Sequence, residues 1–197
     1  MTPEIFTALA LFALSSVITP GPNNLMLMAS GANFGFVRSV PHMFGVGLGF
    51  PLMILPVGLG VMALFDAVPL ARTLLTVLSV AYLLWLAWRI AHAAAPGEAA
   101  AGARPLRFVE ACAFQWVNPK AWSMALSAIT LFAPGREFGA VLWVAGTYAA
   151  MGCISTTTWV TLGRQIRRFL TTPRRLQLFN WSMAGLLVAS MLLVFAL

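Results

Sequence analysis

Thr19-Pro20-Gly21-Pro22-Asn23-Asn24 and Gln115-Trp116-Val117-Asn118-Pro119-Lys120 each interrupt an otherwise apolar segment of this 197-residue chain. Proline removes a backbone donor and clashes with the preceding helical turn, so each stretch predicts a break. A broken helix inside hydrocarbon survives only where protein or a water-filled cavity satisfies the freed backbone groups. Paired breaks in corresponding positions of two halves point to a binding site between them.

The setting of these breaks is a membrane. The chain is 60% hydrophobic and 9% charged, with mean hydropathy +0.89. A soluble domain carries about 25% charged residues, so too few polar groups exist here to cover a water-facing surface. Six apolar runs reach the length of about 20 residues that a bilayer requires: 5–31, 41–64, 67–91, 108–132, 138–163 and 178–197. They form one transmembrane domain, 1–197, and leave no room for a soluble catalytic domain.

The formal charge of +7 is distributed as a topology signal, which argues against nucleic acid as a partner. With the N-terminus outside, Arg38, Arg89, Arg104, Arg107, Arg164, Arg167, Arg168, Arg174 and Arg175 gather on the cytoplasmic side, and only Arg72 and Arg136 lie opposite. The positive-inside rule then gives an N-out, C-out, multi-pass protein of the plasma membrane. The Arg-rich 164–175 loop is also suited to anionic lipid head groups. Met1–Glu4 lacks the basic residues of a secretory leader, so the first segment is expected to stay as a helix. Cys112 and Cys153 fall inside spans without metal-ligand or Cys-x-x-Cys spacing and read as buried structural thiols.

Residues 92–107, rich in Ala, Gly and Pro, separate repeat 1 (1–91) from repeat 2 (108–197). Each repeat holds three spans, an odd number, so the halves enter the bilayer from opposite sides as an inverted repeat. The breaks fall in the first span of each half, helices 1 and 4. Asn118 is about ten residues into its span, roughly 15 Å at 1.5 Å per residue, which puts both breaks near the midplane. Gly45 and Gly49 in helix 2, and Gly185 with Ala189 in helix 6, have the spacing of tight helix packing. Pro51 and Pro56 are expected to kink helix 2. Tyr82, Trp85, Trp88, Trp159 and Trp181 read as an interfacial aromatic belt.

At the first break, Pro20, Gly21 and Pro22 end one helix, and Asn23 and Asn24 start another. The N–H groups of that new helix suit a carboxylate. The plainer alternative is a kink capped by Asn side chains, but Pro-Gly-Pro-Asn-Asn is heavier than a kink requires. At the second break, Asn118 offers donor and acceptor groups beside Pro119. Lys120 is the one cation deep within a span, and such residues are functional candidates. Two compatible roles are open to it: binding a substrate carboxylate, or satisfying carbonyls freed by Pro119. Gln115 is placed to bond substrate or to tie helix 4 to helix 1.

His42 and Glu110 are candidates for proton coupling, with solvated interfacial side chains as the plainer alternative. Ser155-Thr156-Thr157-Thr158 either line a polar path or bond back to their own helix. Glu4, Asp66, Glu98 and Glu137 lie at or outside the span boundaries. No deep carboxylate, metal cluster, phosphate loop or catalytic elbow is present in the pattern, so an enzyme and a bound cofactor are not expected.

With these residues in view, the chain resembles the LysE/RhtB family of bacterial amino-acid exporters along essentially its whole length. The strongest stretches are TPGPNNLMLMASGANFGFVRSVPHMFGVGLGF (19–50), AYLLWLAWRIA (81–91) and FQWVNPKAW (114–122). The resemblance implies six membrane helices in the bacterial inner membrane and efflux of an amino acid or related zwitterion in exchange for protons. It carries Pro20, Gly21, Pro22, Asn23, Asn118, Pro119 and Lys120 as motif positions. Where some members have an acidic residue in the fifth helix, this chain has Cys153-Ile154-Ser155. A strongly basic substrate would therefore lack a buried negative partner. Small-residue faces permit a homodimer. The rival readings are a membrane thiol–disulfide electron carrier, which needs a reactive Cys beside each break, and a cation or metal efflux protein, which needs carboxylate or His ligands. A purely structural membrane subunit leaves both breaks without a purpose.

Overall fold

The computed structural model describes residues 2–61, 68–93 and 104–196. Asp66, Glu98, most of the 92–107 linker and the Arg72 side chain lie outside the described residues. What is described is helical, without a strand. In chain order the helices are α1 (Pro3–Ile18), α2 (Pro22–Phe34), α3 (Phe36–Gly58), α4 (Pro69–Ala91), α5 (Phe108–Val117), α6 (Pro119–Phe132), α7 (Phe138–Ile166) and α8 (Pro173–Ala196), with a short 3-10 turn at Arg167–Phe169. Among the described residues, three helical stretches are long and apolar enough to cross a membrane: Phe36–Gly58, Thr73–Ala91 and Phe138–Phe169. The bent pair α1 and α2 adds a fourth.

Both expected breaks are present. Between α1 and α2 the axis turns by 59°, with Thr19 extended and Pro22 opening the new helix. Asn118 alone separates α5 from α6, in extended conformation, and Pro119 starts α6. Proline at a first helical position costs nothing because the N–H it lacks would be unpaired anyway.

Two boundaries differ from the sequence reading. The loop expected at 32–40 is a single residue, Gly35, at φ 78° between α2 and α3. Only glycine takes that backbone without strain. Helix α3 is continuous through Pro41, Pro51 and Pro56.

The core is divided in two. One cluster joins α2, α4, α5 and α8 through Leu25, Leu27, Leu83, Phe114 and Leu187. The other joins α1, α3, α6 and α7 through Leu9, Phe50, Ala125, Val141 and Tyr148. The two breaks lie where these clusters meet. Helix α2 sits innermost, with 11 of its 13 residues buried. It packs against α7 through two glycines: a Cβ on Gly31 would stand 2.2 Å from the Val160 carbonyl oxygen, and one on Gly163 would stand 2.0 Å from that of Met28. Gly45 and Gly49 do the same for α3 against Phe108, Ala111 and Cys112 of α5. The pair on α8 does not, because nothing among the described residues lies within 4 Å of a Cβ on Gly185.

Candidate functional site

The end of α1 leaves carbonyls without helical partners, and side chains from the other half of the chain take them. Ser155 Oγ on α7 donates to the Val17 carbonyl at 2.7 Å. Trp159 Nε1 donates to that of Ile18 at 3.1 Å. Lys120 Nζ on α6 donates to Thr19 at 2.8 Å and to Pro20 at 3.3 Å. Within the first half, Asn24 Nδ2 bridges Val17 and Thr19 at 2.7 and 2.8 Å. The carbonyls from Val17 to Pro20 are therefore all bonded, and their donors come mostly from repeat 2.

Lys120 satisfies carbonyls freed by the first break, not those upstream of Pro119. The carbonyl of Gln115 is taken by the Asn118 N–H at 3.3 Å, and Asn118 Oδ1 caps α6 by accepting from Lys120 N at 3.2 Å. Gly21 makes the crossing possible, since a Cβ there would stand 2.8 Å from Lys120 Cδ. Thr19 and Pro20 lie on the outer flank of the bundle, and Gly21 and Pro22 are buried. The ammonium thus closes the break from the flank.

Gln115 ties the two broken helices together. Its Oε1 accepts from Asn23 Nδ2 at 2.8 Å, and its Nε2 donates to Asn23 Oδ1 at 3.2 Å and to the Ala111 carbonyl at 2.8 Å. Gln115 is wholly buried, so each amide needs the other as a partner.

Beside these contacts lies a partly open cleft with about 480 Å³ of atom-free space, its open mouth included. Gly21, Asn23, Asn24, Asn118 and Lys120 line it, and Pro20, Pro22, Gln115 and Pro119 support it from outside. Its remaining polar groups are Ser16, Tyr148, Ser155 and Thr156. Ser16 Oγ and Tyr148 Oη lie 3.1 Å apart. Among the described residues, no Asp or Glu lines the cleft, so it presents an ammonium, amides and hydroxyls.

Several residues sit elsewhere than the sequence suggested. Trp159 is half-buried and caps Ile18 instead of joining an interfacial belt. Nothing in the local sequence singles out Tyr148 and Ser16, because their role depends on α1 packing against α7. Thr156 and Thr158 bond back to their own helix, and Ser155 reaches across to α1. Glu110 forms an ion pair with Arg104 at 2.6 Å and accepts from the Arg107 N–H at 2.8 Å, which caps α5. That carboxylate holds the Arg104 guanidinium above its usual range by hydrogen bonding. His42 is not solvated: it is 1% exposed and lies away from the cleft. Cys112 Sγ donates to the Gly45 carbonyl at 3.3 Å, and Cys153 is exposed on α7 instead of buried. Neither cysteine lines the cleft. Among the described residues, no three His, Cys, Asp or Glu side chains come together.

An apolar helical bundle in which two broken helices meet beside a polar cleft fits a membrane translocator. The chain belongs to the LysE type translocator family, whose profile matches residues 14–197. It is 30% identical over 191 residues, 95% of either chain, to the cysteine/O-acetylserine efflux protein of Klebsiella pneumoniae subsp. pneumoniae. It is 33% identical over 174 residues, 85% of this chain and 87% of the relative, to the protein of that name from Escherichia coli (strain K12). No solved structure matches the chain.

Proposed function

We propose that this protein exports a small zwitterionic amino acid of the cysteine and O-acetylserine class across the bacterial inner membrane, with inward proton movement as the driving force. The observation that carries this reading is the junction of the two breaks, where Lys120 Nζ bonds the Thr19 and Pro20 carbonyls at the edge of a polar cleft. An ammonium has three donors, so one stays available to a cargo carboxylate. The first N–H groups of α2, at Asn23 and Asn24, add the partial positive charge of a helix start. The cargo ammonium would meet Asn24 Oδ1 and the Ser16 and Tyr148 hydroxyls. With no carboxylate in the cleft, a cargo of zero net charge is favoured over a basic one.

Six spans in two inverted halves, N-out and C-out, fit the packing. If α1 with α2 is one span and α5 with α6 another, span 1 packs on span 5 as span 4 packs on span 2, span 2 packs on span 5, and span 3 on span 6. Each contact maps onto itself or another when the halves are exchanged, as a pseudo-two-fold axis requires. The halves would rock about the shared break to alternate access.

Counterflow in liposomes tests the assignment. Vesicles loaded with unlabelled cysteine or O-acetylserine are expected to accumulate the labelled compound. Lysine-loaded vesicles are expected to accumulate none of their own label. Uptake of lysine alone would overturn the cargo assignment.

A further inference from the structure

A second cavity, with about 950 Å³ of atom-free space when its open mouth is included, lies at the basic end of the bundle and shares no lining residue with the cleft. It opens between α2, α3, α4 and the segment that leads into α5. His42 lines it, 1% exposed. Its Nδ1 lies 2.9 Å from Ser30 Oγ, and its Nε2 has no hydrogen-bond partner. Because the Ser30 hydroxyl has no other acceptor among the described residues, we assign it as the donor to Nδ1, which puts the ring proton on Nε2. An unpaired buried donor against a cavity calls for an acceptor from outside the fold.

Four neighbours describe that acceptor's molecule. Arg89 also lines the cavity, with its guanidinium 4.9 Å over the Trp85 ring and no ion pair among the described residues. His92 donates through Nδ1 to the Trp88 carbonyl at 2.8 Å, which leaves Nε2 as an acceptor. Leu86 and Met26 supply an apolar wall. A donor and a cation together suit a carboxylate, the free imidazole nitrogen suits an ammonium, and the wall suits a short uncharged side chain.

We propose that this cavity is a second amino-acid site, in which His42 and Arg89 hold the carboxylate of a cargo molecule waiting to enter the cleft between the breaks. The assignment rests on the export reading above. The two sites are joined by α2: Ser30 and Asn33 face the cavity and Asn24 faces the cleft, six to nine residues apart, or about 9–14 Å along the helix.

Equilibrium binding of radiolabelled, reduced cysteine to the full chain in nanodiscs tests it. Two molecules are expected per chain. Arg89→Gln should weaken one site about tenfold or more and leave the other unchanged, and Arg89→Lys should recover most of the loss. Asn24→Leu should weaken the other site and leave the Arg89-dependent one in place. His42→Leu should act as Arg89→Gln does. Because His42 is buried, the half-exposed Arg89 decides between the outcomes if that variant fails to fold. One molecule per chain with affinity indifferent to Arg89 overturns the second site and leaves the export reading standing. No binding of cysteine or O-acetylserine at either site overturns both.

Discussion

Lys120 Nζ lies 2.8 Å from the carbonyl oxygen of Thr19, a residue 101 positions earlier in the chain. One cation thereby holds the breaks of two different helices together. Lys120→Met is expected to remove both the clasp and the cargo donor. A charged hydrogen bond is worth about 1.5–3 kcal/mol, so counterflow should fall about 10- to 100-fold. Undiminished transport by this variant would show that the ammonium serves neither purpose.

Asn23 and Gln115 form a reciprocal amide pair at 2.8 and 3.2 Å. Deleting either partner strands the other, so Asn23→Ala and Gln115→Ala should each destabilise the chain by about 1–3 kcal/mol. The double variant should be little worse than the worse single one, with a coupling energy of about 1 kcal/mol. Apparent melting temperatures in one detergent measure this, and strict additivity would mean that the pair does not act as a unit.

Gly31 and Gly163 leave no room for a methyl group, with Cβ positions 2.2 and 2.0 Å from carbonyl oxygens of the opposing helix. Gly31→Ala or Gly163→Ala should cost about 1–3 kcal/mol through overpacking. Gly185→Ala, which meets nothing within 4 Å, should be neutral or slightly stabilising. Equal effects at the three positions would contradict the packing of α2 against α7.

Cys112 bonds the Gly45 carbonyl and Cys153 is exposed, and neither reaches the cleft. Replacing both with Ser should leave transport within about twofold of the parent, in line with substitutions away from a functional site. Abolished activity would revive thiol–disulfide electron transfer.

Proline and buried charge carry meaning wherever they occur, and this made the breaks legible in the sequence. Pro20, Pro22 and Pro119 cannot continue a helix, and Lys120 cannot lie idle in hydrocarbon, whatever surrounds them. The partners were not legible. Trp159 looks like any interfacial tryptophan until α7 is laid against α1, and it then meets Ile18 across 141 positions. His42 looks solvated so close to a span boundary, until the single-residue turn at Gly35 carries it into the bundle. The spacing of Gly45 and Gly49 announced close packing correctly. The same spacing at Gly185 did not, because whether a groove is filled depends on a neighbour the local sequence does not describe.

The acceptors left bare at the end of α1 have a consequence for how the protein is made. Ser155, Trp159 and Lys120 leave the ribosome 100 or more residues after the carbonyls they serve. At about 5–20 residues per second that is a wait of roughly 5–30 seconds. During that interval the first broken span is a provisional occupant of the translocon or the bilayer, its bared carbonyls served by Asn24 alone. Synthesis of the later helices is what commits it, so a truncated message would yield a fragment that membrane quality control has a physical reason to destroy.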